Sequence, residues 1–243
     1  MNNIALIIST HDNSNDLWET LEQTYHRFWK DIKFPIYLTT NHKVFKSKIF
    51  NSLKVGDELS WSDNLIKSLN KIEQDFVLLT FDDLFLVNKV NNQFIEELTS
   101  RAIKEKFNYL QFYCSISKGR RIDNLIFKKN NKTIYKNSTI WSFWNKKILI
   151  ELLRKEESAW QFEQSGNKRS FDYDHFYSTR ENVIPFANGV VKGVWNPLVK
   201  NKLHKLNFST SSIRPSLGFA KTLIYKLRDL QFDFFSYIIH KLY

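Results

Sequence analysis

Two adjacent carboxylates, Asp82 and Asp83, follow directly on the apolar run Phe76-Val77-Leu78-Leu79-Thr80-Phe81. A buried strand that ends on such a pair delivers it to the C-terminal edge of a sheet, where open α/β folds hold their ligands. Neighbouring acids repel, and a divalent cation or ligand hydroxyls would relieve that repulsion. The plainer alternative is a solvated turn in which Asp83 caps the next segment. Four of the seven Trp residues stand in polar surroundings: Trp18 after Asp16, Trp61 in Ser60-Trp61-Ser62, Trp160 in Ser158-Ala159-Trp160-Gln161-Phe162-Glu163, and Trp195 after Lys192-Gly193-Val194. An indole beside a carboxylate offers an apolar face to a sugar ring and an acceptor to its hydroxyls, although Trp at any single one of these places is ordinarily core.

Apolar periodicity supplies the elements that must carry these groups. Ile4 to Ser9 reads as a buried strand running into the polar loop Thr10 to Asp16. Leu17, Leu21, Tyr25 and Phe28 recur at helical spacing, with Asp16 as N-cap and Glu19 as its capping-box partner. Pro35 opens a second strand, Ile36 to Thr40, and strand, helix, strand in so short a span is the βαβ signature of an α/β sheet. The pattern recurs with a helix capped by Ser60 or Ser62 and running to Ile72, the strand at 76–81, a helix over 91–106 and a strand over 109–113. Residues 122–138 predict a hairpin turning at Lys129-Asn130-Asn131, residues 146–155 a helix, and the chain beyond Gly166 is loop-rich until a last helical pattern from Ser216. There is no internal repeat, low-complexity linker or Pro/Gly-rich hinge.

Composition narrows the class. The 243 residues are 42% hydrophobic and 16% aromatic, too apolar for a disordered or fibrous chain and enough for one substantial core. The single Cys114 excludes an internal disulfide and no Cys/His set has zinc-finger spacing, so a reducing compartment is expected. The N-terminal apolar run spans only Ile4 to Ile8, too short for a secretory signal. No run approaches the ~18 apolar residues of a membrane span, and a cytoplasmic protein is expected.

As far as about Pro197 the chain resembles the small GT-A-type glycosyltransferases of bacterial surface-polysaccharide (capsule and O-antigen) clusters. The resemblance rests on the order of short motifs: Ser9-Thr10-His11-Asp12 with Asp16-Leu17-Trp18, Ile36 to Asn41, Gly56-Asp57 leading to Ser60-Trp61-Ser62, Leu79 to Leu86, Ile140-Trp141, Ser158 to Glu163, and Gly189-Val190-Val191-Lys192-Gly193. It implies an α/β fold: one GT-A-like, Rossmann-type domain over 1–197 with a mostly parallel central sheet flanked by helices, and a C-terminal amphipathic helical segment over 198–243. It further implies transfer of a sugar from a nucleotide-sugar donor to a hydroxyl of a glycan or lipid-linked glycan acceptor. Thr10 and Asp12 would stand beside the donor, with Trp61 and Ser62. Asp82 would take the ribose and Asp83 a Mg²⁺ or Mn²⁺ ion on the diphosphate, because hard oxygen ligands suit those ions. Here the motif reads Asp-Asp-Leu instead of Asp-any-Asp, which leaves that division between Asp82 and Asp83 open.

For an inverting transfer one carboxylate must take the acceptor proton, and Glu163 is the candidate base, with burial against Trp160 and Phe162 expected to raise its pKa; Asp16 and Asp174 stand in reserve. Arg169 and Lys192 are the candidate diphosphate cations, the latter on a flexible stretch able to close over phosphates, against the plain alternative of surface charge. Trp160 and Trp195 are the candidate acceptor platforms.

Formal charge is +11, and residues 192–243 carry nine Lys and Arg against two acids. Leu217, Ala220, Leu223, Ile224, Leu227, Leu230, Phe234, Ile238 and Leu242 follow helical spacing. Such a helix suits either an anionic membrane surface on the inner face of the cytoplasmic membrane, or packing on its own domain or a second subunit. A pI near 9.5 with many aromatics would also suit a nucleic-acid-binding protein, but no such module is visible and no nucleic-acid partner is expected. An inactive, GT-A-like subunit of a polysaccharide assembly complex is the third possibility.

Overall fold

The computed structural model describes residues 3–113, 119–133, 135–218 and 220–224. Cys114 and positions 225–243, which carry most of the expected C-terminal helix, lie outside the described residues. In chain order the strands are β1 (Ile4–Ser9), β2 (Ile36–Thr40), β3 (Phe50–Lys54), β4 (Phe76–Phe81), β5 (Leu84–Leu86), β6 (Tyr109–Gln111), β7 (Gly119–Arg121), β8 (Ile126–Lys129), β9 (Ser142–Asn145), β10 (Phe176–Thr179), β11 (Phe186–Asn188), β12 (Val190–Val191) and β13 (Val194–Trp195). The helices are α1 (Asn15–Phe28), α2 (Trp61–Lys71), α3 (Asn92–Lys104), α4 (Lys146–Leu152), the single turns α5 (Ala159–Gln161) and α6 (Asn167–Arg169), and α7 (Pro197–Lys205).

Nine strands form one sheet in the order β3-β2-β1-β4-β9-β6-β10-β8-β7. β1, β2, β3 and β4 pair in parallel, as do β6 and β10, while β9 and β8 run against their neighbours. All the other strands of the sheet therefore point the same way, and the sheet is mostly parallel, as the sequence implied. Its central strands are apolar throughout because both faces are covered. Alternate residues divide between two cores: Ile4, Leu6 and Ile8 pack with Leu17, Leu21 and Tyr25 of α1 and Ile95 and Leu98 of α3. Ala5, Ile7, Val77 and Leu79 face Leu65 and Leu69 of α2 and Leu149 and Leu152 of α4.

Several boundaries differ from expectation for local reasons. α1 begins two residues earlier than foreseen, with Ser14 in place of Asp16 at the N-cap position; Asp16 is engaged elsewhere, as described below. The hairpin of the middle region turns between Arg121 and Ile126, with Asp123 accepting from the amides of Leu125 and Ile126, and not at Lys129-Asn130-Asn131. β9 and β10 were not foreseen.

Two small ribbons close one end of the sheet: β5 pairs with β11, and β12 with β13. After α7 the chain returns over the domain. Phe208 and Leu203 are buried, Ser209 bonds Thr20 and Gln23 of α1, and Trp195 bridges to Ser216. Residues 198–217, read in the sequence as part of a separate segment, thus lie against the domain. Among the described residues no helix is long and apolar enough to cross a membrane.

Candidate active site

Strand register gathers the chemistry at one edge. Ser9 at the end of β1 lies beside Phe81 at the end of β4, so the loops that begin at Thr10 and Asp82 are neighbours. β9 runs in the opposite sense and its first residue, Ser142, faces Leu79 and Gln111, which brings residues 138–141 to that same edge.

The two acids differ in their surroundings. Asp82 is buried and accepts a hydrogen bond from the Thr10 hydroxyl, whose oxygen also accepts from Trp18 Nε1 at 2.9 Å. Burial pushes the Asp82 carboxyl up, and the Thr10 bond opposes that push. Asp83 is raised to about 7, first by burial and then by the charge of Asp82. Its own backbone amide and the Arg214 charge oppose that rise, no other described residue donates a hydrogen bond to its side chain, and its carbonyl oxygen accepts from Gly189 N at 2.8 Å. A Cβ on Gly189 would overlap the Phe85 ring, so this close approach requires glycine.

Opposite charge reaches the pair from a residue that sequence reading passed over. Arg214 holds Asp16 with two bonds of 2.8 Å, from Nε to Oδ2 and from Nη2 to Oδ1. Nη2 also lies 3.2 Å from the Ser14 hydroxyl, and Nη1 is 3.5 Å from the Gly193 carbonyl. The same guanidinium acts electrostatically on Asp82 and Asp83. One side chain from the returning C-terminal strap therefore ties the first βα loop to the β12–β13 hairpin. Nothing local marks Arg214 in the sequence, since it is one cation among many in a basic stretch.

Asp12 is a brace. Its Oδ1 accepts from Asn41 N at 2.9 Å, and Oδ2 from His42 N and Lys43 N at 2.9 and 3.0 Å. Burial opposes its ionisation, but these amides outweigh it and hold the carboxyl below its ordinary range. Ser62 is likewise internal: its hydroxyl accepts from Glu157 N at 3.0 Å and fastens the 155–158 loop to α2. Both side chains thus serve internal joints, a role the sequence reading did not foresee.

Glu163 lies in a π-turn, Phe162–Gly166, a helix distortion often found at functional sites. Its Oε1 accepts from Ser138 Oγ, Thr139 N and Thr139 Oγ1 at 2.7, 2.7 and 2.9 Å. Behind it Tyr113 donates to Ser138 Oγ at 2.8 Å, and Ser138 N donates to the Tyr109 hydroxyl, which faces Gln111 and the buried Lys129. This network fixes the carboxylate, and its surroundings are hydroxyls and an amide, not the expected indole. Oε2 accepts no hydrogen bond from a described residue. Ring contacts link the two halves of the edge: Trp61 stacks 6.3 Å from Phe81, the neighbour of Asp82, and 5.5 Å from Phe162, the neighbour of Glu163.

Four further expectations meet the structure differently. Trp195 is fully buried, stacked 5.5 Å from Phe85 with its Nε1 donating to Ser211 O, so it is floor and not an acceptor platform. Trp160, by contrast, is 59% exposed. Arg169 grips Glu157 with bonds of 2.8 and 2.6 Å and donates to Leu152 O, which commits it to the loop and not to a phosphate. Lys192 sits at the tip of a tight hairpin, with φ +50° followed by Gly193 at +80°, the two-residue turn of a paired ribbon in place of a flexible stretch. Of the reserve bases, Asp16 is held by Arg214 and Asp174 by Lys128; Asp174 also precedes β10 and so lies at the opposite edge of the sheet.

Buried polar atoms without a partner among the described residues include His11 Nδ1, Thr40 Oγ1, Trp61 Nε1, Asn64 Oδ1, Thr80 Oγ1 and both ends of Asn137 in the elements that build this edge, and also Tyr25 Oη, Gln74 Oε1, Trp141 Nε1 and Arg180 Nε. Buried polar groups are normally satisfied, and orphans beside the acids are available to a polar ligand. No set of three or more His, Cys, Asp or Glu suited to a metal occurs among the described residues. Two carboxylates, one of them bonded only by its own amide, nevertheless fit Mg²⁺ or Mn²⁺ in the manner those ions favour, with remaining positions left to phosphate oxygens and water.

No protein-family model and no curated protein matches this sequence. Solved structures do match in fold. UTP-bound UGPase from Acinetobacter baumannii superposes with a TM-score of 0.53 at 11% identity, over 84% of this chain and 93% of that one. A UDP-glucose pyrophosphorylase complexed with UDP-glucose gives 0.52 at 8%, over 85% and 98%. The 1–349 fragment of S. aureus TarS gives 0.49 at 11%, and the match spans about 60% of that fragment's length. At these identities the likeness establishes a shared α/β fold.

Two outcomes follow from the charges. Because the Asp83 carboxyl titrates near 7 in the folded chain and near 4 unfolded, the folded state binds the extra proton between those values, and stability falls as pH rises through that window. In metal-free buffer Asp83→Asn should raise the melting temperature at pH 8, by at most about 4 kcal/mol of stability, with the gain vanishing near pH 4. In urea unfolding, Arg214→Met should cost about 3 kcal/mol by stranding buried Asp16, and adding Asp16→Asn should recover part of that loss.

Proposed function

We propose that this chain is a glycosyltransferase that takes a sugar from a nucleotide-sugar donor and places it, with inversion, on a hydroxyl of a surface glycan or lipid-linked glycan. The observation that carries the reading is the pairing, at one sheet edge, of the Asp82–Asp83 acids with a separately anchored carboxylate, Glu163. The fold shared with proteins solved with UTP and UDP-glucose supports the donor class.

In this reading Asp82, held by Thr10, receives the ribose, and Asp83 with the diphosphate holds a Mg²⁺ or Mn²⁺ ion. That ion, when bound, offsets the charge that builds on the departing nucleoside diphosphate. The orphaned Trp61 Nε1 and Asn64 Oδ1 supply a donor and an acceptor for sugar hydroxyls. Glu163 Oε2 takes the proton of the acceptor hydroxyl while Oε1 stays clamped by Ser138 and Thr139. The acceptor oxygen bonds to the anomeric carbon from one face as the bond to the β-phosphate oxygen breaks on the other, and the electron pair leaves with the diphosphate. Trp160 offers its exposed face to the acceptor ring. Lys192, at the hairpin tip, is the cation available to the diphosphate.

A second reading, nucleotidyl transfer, is favoured by the pyrophosphorylase likeness. It fits the chain less well. A triphosphate is usually cradled by a glycine-rich loop opening a helix, whereas Ser9 to Asp16 contains no glycine. Attack by a sugar phosphate also needs no base to remove a hydroxyl proton, which would leave the anchored Glu163 without a role.

Thermal unfolding against UDP-, GDP-, dTDP- and CMP-sugars with and without Mn²⁺ tests the reading, since a ligand of the folded state raises its melting temperature. One nucleotide class should give a shift that requires metal and disappears in Asp83→Ala. With that donor, Glu163→Gln should keep the shift and lose ~100-fold or more in turnover. Turnover of UTP with a sugar 1-phosphate, or an undiminished Glu163→Gln rate, would reject it.

A further inference from the structure

A basic trough lies on the outer face of α1, away from the sheet edge that holds the acids. One part, about 640 Å³, is lined by His26, Arg27 and Lys30 of the α1 end and by Lys46 and Lys48 of the β2–β3 loop. A second, about 310 Å³, shares Arg27 and Lys30 with it and adds Lys89 and one exposed acid, Asp31. The walls are built, not incidental. Arg27 lies over the rings of Phe28 and Phe208, at 5.5 and 5.3 Å, and donates to Leu206 O. Gln23 bonds Ser209 with both ends of its amide, which seats the returning strap as one wall. Glu22 turns into the opposite wall, where Oε1 accepts from the Ser47 hydroxyl and from Lys48 N at 3.1 Å. None of Lys30, Lys46, Lys48 and Lys89 forms an ion pair with a described residue. Exposed Lys202 and Lys205 stand in the last turn of α7, just ahead of the strap.

We infer that this trough binds a linear anionic glycan, a chain bearing phosphate or carboxylate groups along its length. Cations face one another across a concavity, which suits a chain lying between them and is poorly placed for a planar membrane surface. Nucleic acid is disfavoured by the rings: single strands stack their bases on open aromatic faces, whereas Phe208 is buried and capped by Arg27. The inference rests on the glycosyl-transfer reading only in taking the bound chain to be part of the acceptor. From Asp16 to Phe28 is about 18 Å along α1, and Lys30 lies just past that end. The trough would therefore hold the acceptor at a distance from the reacting hydroxyl, acting on KM and leaving kcat unchanged.

The test uses full-length protein and a polygalacturonate chain as probe, with neutral dextran, an RNA oligonucleotide and anionic phospholipid vesicles alongside. Polygalacturonate should bind, dextran should not, and affinity should fall by about 20- to 40-fold between 50 and 200 mM salt, the counter-ion release of some three charges. Lys30→Glu with Lys46→Glu and Lys48→Glu should lose at least tenfold in affinity. Lys104→Glu with Lys106→Glu and Lys147→Glu makes the same charge change elsewhere and should stay within twofold. Both variants should keep the wild-type melting temperature and any nucleotide-induced shift. Equal loss in the two variants, or tighter trough-dependent binding of RNA or vesicles, would overturn the inference. If polygalacturonate binds through the trough while no nucleotide-sugar shifts the melting temperature, the trough stands and the donor reading fails.

Discussion

Setting Asp82 and Asp83 side by side at the end of a buried strand is unfavourable, and much of the molecule is arranged around that cost. Burial pushes both carboxyls upward, and the charge of Asp82 pushes Asp83 further. The Thr10 hydroxyl and the Arg214 charge relieve Asp82 in part, yet the Asp83 side chain has no hydrogen bond from a described residue beyond its own amide. A fold selected for stability alone would replace one of these acids. Strained, half-compensated charge is the usual mark of a site whose ligand completes the compensation.

The edge is built from distant pieces, each with a separate physical reason. β1 and β4 bring Thr10 and Asp82 together because adjacent parallel strands end in register. The reversed β9 brings Ser138 and Thr139 to the same edge, where they clamp Glu163. Arg214 crosses from the strap to close the first βα loop onto the β12–β13 hairpin. Such a site depends on long-range packing, and a change in the strap will be felt by the acids.

What could be read from the amino-acid order follows from this division. β1, β2, β4 and the helices α1 to α3 were legible because continuous apolar runs and helical spacing are local signals, and of the two serines offered as a cap for α2 it is Ser60 that caps. β9, Ser-Phe-Trp-Asn, carries no strand signature of its own; it is a strand because β4 and β6 flank it. Trp195 was misread since its neighbours in sequence are polar while its neighbours in space are Phe85 and the strap. Arg169 and Ser62 looked like ligand groups and turned out to be joints, because nothing local announces the partner Glu157. The acids and Glu163 were legible as chemistry, but the clamp on Glu163 was not, being assembled from residues 24 and 25 positions away in sequence.

If the proposed function holds, the Asp82–Asp83 edge takes a metal ion jointly with a nucleoside diphosphate, because two carboxylates alone are too few ligands for the ion. Electron paramagnetic resonance of free Mn²⁺ measures this directly. The protein alone should scarcely deplete the free-ion signal, adding the nucleoside diphosphate of the donor should deplete it well beyond nucleotide alone, and Asp83→Asn should abolish the difference. Equal nucleotide affinity with and without Mn²⁺, or unchanged Mn²⁺ uptake in Asp83→Asn, would contradict it.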